Sequence, residues 1–274
     1  MSDAGTAGRA ACGAAPGPAG AGATGGDAPV FRLAVLASGN GTNLQAIIDR
    51  LHARPAAQPA GAAGAAPNGA PQVGAPALGA PVIEVALVVS DVPGARALDR
   101  ARKAGIPTAL CPVTCAADRK EHGRAVLTAL TKADPDLVVL AGYMRIVPPE
   151  LVRAFRWRII NLHPALLPAF PGTTSISDAV QHGVKVTGVT VHFVDEGLDT
   201  GPIIAQEAVR VEEGDTPESL AARIHAVEHE LLPVTIRLIA AGRVSPPLPG
   251  TRVVQVDWDG GVDPCGGADL AGGT

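Results

Sequence analysis

The 274-residue sequence predicts an α/β protein: a three-layer α/β/α domain with a central, mostly parallel seven-stranded sheet and a Rossmann-like N-terminal half. Three observations predict it. Seven short apolar runs alternate with stretches carrying apolar residues at helical spacing, the pattern of parallel strands joined by crossover helices. The first run, residues 31–37, leads at once into a glycine turn, Ser38-Gly39-Asn40-Gly41-Thr42-Asn43, and then into a helix. Two segments of extreme composition, residues 1–29 and 53–81, hold 21 and 23 Ala, Gly or Pro in 29 positions each. They confine the fold to a core of roughly 180 residues, enough for one apolar interior.

The elements follow in order. FRLAVLA at 31–37 reads as a buried parallel strand, and Leu44, Ile47, Ile48 and Leu51 as the inner face of a helix with Thr42 or Asn43 as its N-cap. Residues 82–89 form the second strand. The 53–81 stretch before it reads as a lengthened loop, which costs little because loop-closure entropy grows only logarithmically. Pro93-Gly94 opens a helix that runs to Lys103, and residues 108–112 make a short third strand. A helix over 118–132 precedes the fourth strand, 135–142, which ends in glycine. The fifth strand, 158–162, delivers His163-Pro164. Strands at 185–194 and 202–211 and a helix over 217–240 close the core. The expected organisation is a disordered tail at 1–29, a domain at 30–242 and a flexible tail at 243–274.

A net charge of −4, from 22 basic and 26 acidic residues, offers no basic surplus for nucleic acid or an anionic membrane. No run approaches the ~20 apolar residues of a membrane span, and no secretory signal pattern opens the chain. A cytoplasmic protein is expected. Cys12 and Cys265 fall in the two tails, and Cys111 and Cys115 are too isolated for a four-ligand metal site; no disulfide between them is expected.

Four constellations carry chemistry. In Gly39-Asn40-Gly41-Thr42-Asn43 the glycines let backbone N–H groups approach an anion at a helix N-terminus, although a tight turn without a ligand has the same residues. A dinucleotide fingerprint would need a third glycine where Leu44 stands; Asp91, after the second strand, keeps a dehydrogenase reading open as a ribose-binding acid. Asn161 and His163 share one face of a strand, so an amide donor and a group titrating near neutrality reach the same place, as acyl transfer requires. The acidic loop Asp195-Glu196-Gly197-Leu198-Asp199 supplies a partner for His163 in Asp199. Finally, His225-Ala226-Val227-Glu228-His229 fits the inverted zinc pattern H-x-x-E-H, but no third ligand stands in a rigid place after it, so no metal is expected.

GNGTNLQAIID at 39–49, VVLAGYMRIV at 138–147, NLHPALLPAFPG at 161–172, VTGVTVHFVDEGLDTGPIIAQ at 186–206 and VEHELLP at 227–233, in that order over residues 31–240, together resemble the phosphoribosylglycinamide formyltransferase family. The resemblance implies the formyltransferase fold and transfer of a formyl group from 10-formyltetrahydrofolate to the amine of glycinamide ribonucleotide, a step of purine biosynthesis. It implies Asn161, His163 and Asp199 as the catalytic trio. It implies Gly41, Thr42, Asn43, Leu44 and Gln45 as the phosphate loop, with Glu228 facing the ribonucleotide. For the folate it implies Arg119, the loop Met144, Arg145, Ile146 and Val147, the loop Val194, Asp195, Glu196, Gly197 and Leu198, and Asn161 again. The partners so implied are small molecules only, on a monomer or homodimer.

The run Thr173-Thr174-Ser175-Ile176-Ser177 departs from the family, which has a histidine shortly after Pro171-Gly172; a Thr174 hydroxyl is expected to substitute in part. Methionyl-tRNA formyltransferase carries a C-terminal tRNA domain, and only 34 residues follow Ala240 here. Formyltetrahydrofolate hydrolase carries a folded domain in front, which residues 1–29 are not expected to supply.

Overall fold

The computed structural model describes residues 29–52, 81–113 and 119–258. The predicted tail at 1–28, most of the inserted loop at 53–80, Cys115 and residues 259–274 lie outside them. Fifteen elements run in order: β1 (Val30–Leu36), α1 (Thr42–Leu51), β2 (Val82–Ser90), α2 (Arg96–Lys103), β3 (Thr108–Leu110), α3 (Arg119–Ala133), β4 (Leu137–Leu140), α4 (Pro149–Ala154), β5 (Ile159–His163), α5 (Ser175–Gln181), β6 (Val186–Phe193), β7 (Ile203–Arg210), α6 (Pro217–Ala240), β8 (Val244–Ser245) and β9 (Gln255–Val256).

Seven strands make one sheet in the order β3-β2-β1-β4-β5-β6-β7. The first five in that order are parallel; β6 runs against them, and β7 at the edge pairs antiparallel with β6. The chain leaves β1 towards β2 and β3, then crosses to the other side of β1 with β4. The loops after β1 and β4 therefore diverge, opening a crevice of the kind in which α/β sheets hold ligands.

Alternation along β1 decides which layer each residue joins. Leu33 and Val35 pack with Leu44 and Ile47 of α1, Leu98 of α2 and Leu220, Ile224 and Leu232 of α6. Ala34 and Leu36 pack with Val126 and Leu130 of α3 and Leu151 of α4. Both faces of the sheet are thus covered, which is why the strands read as continuous apolar runs. Each fully buried Leu or Ile contributes about 1.5–3 kcal/mol relative to exposure.

Local differences from the sequence reading have physical causes. The N-cap of α1 is Gly41, not Thr42 or Asn43; it adopts φ 68°, a left-handed conformation that glycine takes without steric cost. A Cβ at Gly41 would also lie 2.7 Å from the Cα of Ala97 in α2. The short helices α4 and α5, of six and seven residues, are additions that periodicity does not reveal. The segment from 243, expected as a flexible tail, instead forms the antiparallel pair β8–β9, with Val244, Val254, Val256 and Trp258 packed against the main core. Helix α6 begins as its sequence dictates. Thr216 Oγ1 accepts from Ser219 N, Ser219 Oγ accepts from Thr216 N, and Pro217 stands in the first turn.

Candidate active site

The crevice holds a cleft of about 270 Å³, lined by the ends of β4, β5 and β6, the start of α1 and one face of α6. At its floor four side chains from two strands and one loop interlock. Asn161 and His163 stand two apart on β5, and His192 on β6 is the register partner of Asn161. Asp199 stands in the β6–β7 loop at φ 51°, a left-handed conformation uncommon outside glycine. That loop closes tightly, for a Cβ at Gly201 would fall 1.6 Å from the Phe193 carbonyl oxygen.

Asp199 is the hub of the floor. Its Oδ1 accepts from Asn161 Nδ2 at 3.2 Å and its Oδ2 from the backbone N–H of Gly172 at 2.8 Å. His163 Nδ1 lies 3.5 Å from Oδ2 and His192 Nε2 3.8 Å from Oδ1. His163 is 3% exposed, and its Nε2 faces the Phe170 carbonyl at 2.8 Å. Both ring nitrogens of His163 therefore face oxygen atoms, the Phe170 carbonyl closely and the Asp199 carboxylate at the longer distance.

His192 has the opposite character. Its Nδ1 meets the Phe193 carbonyl at 2.8 Å and must donate to it, so Nε2 is a bare acceptor 3.2 Å from Asn161 Nδ2. Burial favours the neutral ring and outweighs the Phe193 carbonyl and the Asp199 charge, pushing the His192 pKa down. The Asn161 amide nitrogen thus lies between two acceptors, which fixes the orientation of the amide: both hydrogens are engaged, and Oδ1 is its remaining polar atom.

The glycine turn that the sequence singled out leads into the start of α1. The N–H groups of Thr42, Asn43 and Leu44 open the helix without intrahelical acceptors. The Gln45 N–H instead bonds the Gly41 carbonyl at 2.9 Å. Asn43 Nδ2 donates to Glu228 Oε2 at 2.9 Å, and His225 Nδ1 meets the same oxygen at 2.8 Å. Glu228 is only 3% exposed, and its hydrogen bond to His225 pushes the His225 pKa up against partial burial.

The profile of the formyl transferase family matches residues 31–236. The chain belongs to that family.

Among its relatives, the phosphoribosylglycinamide formyltransferase of Bacillus subtilis is 38% identical over 206 residues, covering 75% of this chain and 93% of that protein. The enzyme of the same name from Mycobacterium tuberculosis is 45% identical over 150 residues, covering 55% and 70%. The crystal structure of glycinamide ribonucleotide transformylase 1 from Symbiobacterium toebii superposes with a TM-score of 0.68 at 41% identity, covering 83% of this chain and 94% of that one. The chain is a formyltransferase, and its mostly parallel seven-stranded sheet flanked by helices is the formyltransferase fold.

Within this formyl transferase the sequence-predicted residues separate into groups. Asn161, His163, Asp199, Asn43, Glu228, Met144, Arg145, Ile146, Val147, Val194, Asp195, Gly197 and Leu198 all line the cleft. Leu44 is fully buried against the sheet, so only its backbone faces the turn. The Gln45 side chain bonds Asp49 and Arg100, and with Thr42 it lines a separate hollow outside the cleft. Glu196 turns outward to pair with Arg153 at 3.0 Å. The side chain of Arg119 lies outside the described residues.

Thr174 does not stand in for the family histidine. Its hydroxyl donates to Asp178 at 2.8 Å in the first turn of α5, while Thr173 reaches the cleft. The ribose-acid reading of Asp91 also falls. Its carboxylate, 3% exposed, is occupied by Ser38 Oγ at 2.6 Å and Arg145 Nε at 2.7 Å. In the H-x-x-E-H run Glu228 is held by His225 and Asn43 while His229 faces a separate hollow, and among the described residues no group of three His, Cys, Asp or Glu is disposed to hold a metal ion. Nor is any described helix long and apolar enough to cross a membrane. A larger hollow of about 500 Å³ between α1 and α2 mixes Arg96, Arg100 and Lys103 with Asp49 and Asp99, and it contains none of the acid–base groups of the cleft.

His192 is the floor residue that sequence reasoning did not single out. Its signal is the antiparallel register that sets it against Asn161, which becomes visible only once β5 and β6 are paired.

Proposed function

We propose that this formyltransferase moves the formyl group of 10-formyltetrahydrofolate to the amine of 5-phosphoribosylglycinamide, within purine biosynthesis. The observation that carries the reading is the largely buried Asn161–His163–Asp199 floor between the start of α1 and a loop with apolar side chains at the cleft mouth. Met144, Ile146 and Leu198 are 64%, 79% and 58% exposed there, an apolar surface fitted to a flat heterocycle with a hydrocarbon linker. The donor supplies a formyl carbon already bonded to a nitrogen leaving group.

The N–H groups of Thr42, Asn43 and Leu44 hold the ribonucleotide phosphate, and Glu228, held by Asn43 and His225, faces its sugar and amine. When the amine nitrogen bonds to the formyl carbon, negative charge develops on the formyl oxygen. His163 faces that charge as the imidazolium. Its Nε2 is fixed on Phe170, whereas Nδ1 stands 3.5 Å from Asp199 without a close hydrogen bond and is the ring N–H left to the oxyanion. Asn161 joins it by releasing the hydrogen shared with His192. Asp199, beside His163, carries the proton lost by the amine to the departing nitrogen, and the old C–N bond breaks as the oxyanion collapses back to a carbonyl. The loops 144–147 and 194–198 close on the donor from two sides and reduce access of water to the formyl carbon.

The test is a spectrophotometric assay of folate release, with and without the ribonucleotide. Release that requires the ribonucleotide is expected. Release without it would make the protein a hydrolase, and no release in either case would overturn formyl transfer.

A further inference from the structure

The cleft has two walls that meet at one buried carboxylate. Ser38 leads out of β1 into the glycine turn, and its backbone N–H donates to the Gly142 carbonyl at 3.0 Å. The Ser38 hydroxyl donates to Asp91 Oδ1 at 2.6 Å and accepts the Met144 N–H at 3.0 Å. Arg145 Nε donates to Asp91 Oδ2 at 2.7 Å. Asp91, just past the end of β2, thus touches directly or through one hydroxyl the chain after β1 and the chain after β4. The side chain of Asp91 is 1% exposed and that of Arg145 is 43% exposed at the cleft. Burial opposes ionisation, but the Ser38 hydroxyl and the Arg145 guanidinium outweigh it and hold Asp91 below the usual carboxylate range.

The two walls depend on this carboxylate unequally. The glycine turn has anchors of its own, in the Gln45 N–H to Gly41 and the Ala97 N–H to Gly39. Met144 and Arg145 are tied back to the sheet ends through Ser38 and Asp91. Their neighbour Ile146 is 79% exposed.

We propose that Asp91 is a positioning residue for the donor side of the cleft: through Ser38 and Arg145 it sets the 144–147 loop in register with the ribonucleotide turn without itself touching either substrate. The inference rests on the formyl-transfer reading for what the loop holds, but the brace has a readout of its own.

Asp91→Asn keeps the shape of the side chain and removes its charge. It is expected to raise KM for the folate donor about tenfold while KM for the ribonucleotide stays within twofold and kcat within threefold. Ser38→Ala is expected to reproduce that split, Ser38→Thr to restore it, and the Ser38→Ala/Asp91→Asn double variant to be no worse than the poorer single one, because both act through one network. Amide hydrogen exchange is the independent measurement. Protection of the Met144 N–H should fall at least tenfold in Asp91→Asn, with residues 41–45 unchanged. If the exchange result holds and the wild type fails to transfer formyl groups, the formyl-transfer reading falls and the brace stands. Unchanged donor KM in an active Asp91→Asn enzyme overturns the positioning role. So does exchange that rises equally in 41–45 with collapse of kcat, which would make Asp91 a general stabiliser.

Discussion

The floor and the mouth of the cleft are built on opposite rules. At the floor, Asn161, His163, His192 and Asp199 satisfy one another's polar atoms at low exposure, on paired strands and a loop pinned by Gly201. At the mouth, Met144, Ile146 and Leu198 expose apolar side chains on loops. Groups that handle charge and protons need fixed geometry and little water, whereas groups that accept a broad apolar ligand need area. Changes at the floor should therefore be felt in kcat, and changes at the mouth in KM.

The sharpest way to break that division is at the hub. His163→Ala and Asp199→Asn are each expected to lower kcat by at least about 10²-fold, the size of a single acid–base or oxyanion group, with little change in KM for either substrate. Wild-type turnover in either variant would remove that residue from the chemistry. A step down in size is His192→Leu, which leaves the Asn161 amide held by Asp199 alone; steady-state kinetics should show kcat lower by about tenfold, the size of one lost orienting hydrogen bond, with His192→Gln closer to wild type. At the mouth, Ile146→Ala and Leu198→Ala should each raise donor KM about threefold and leave kcat alone, in proportion to the apolar area lost. A kcat effect there larger than at His192 would erase the distinction.

The smallest expected effect is on stability against pH. His192 has its folded pKa pushed below the ordinary 6.5, so the unfolded chain binds the proton more readily than the folded one. Its contribution to stability is complete above about pH 6.5 and is lost as pH falls from there through the folded value. His225, pushed up, has the reverse sign: its contribution is present below 6.5 and lost as pH rises through its folded value. Thermal melts from pH 7 to 5 should show a shallower acid-side decline in His192→Gln than in the wild type. A parallel decline in the two would mean that His192 takes up its proton without cost to the fold.

Much of the fold and part of the floor are legible in the sequence, because they rest on periodicity. The buried strands are apolar runs, and Asn161 and His163 are two apart in one of them. Legibility ends where a residue's role depends on what the chain brings beside it. His192 gains its role from an antiparallel pairing with Asn161, and Asp91 from two loops distant in sequence. Glu196 and Asp195 are neighbours of like charge, yet one pairs with Arg153 outside while the other bonds Gly197 and Thr200 within the loop. Composition also misleads after residue 242, where scattered Val and Trp side chains find seats on the core that no local pattern announces.

The meeting of Gly41 with Ala97 carries a genetic consequence. The first atom a larger residue at 41 would strike is the Cα of Ala97, so no exchange of the side chain at 97 makes room for it. Relief of that clash, though not of the left-handed backbone at 41, has to come from the helix moving as a body on its seat, where Leu98 and Ala101 lie against the sheet. A hunt for suppressors of a Gly41→Ala enzyme should therefore recover changes beneath α2, in residues that never meet a substrate, and few in the cleft whose failure they repair.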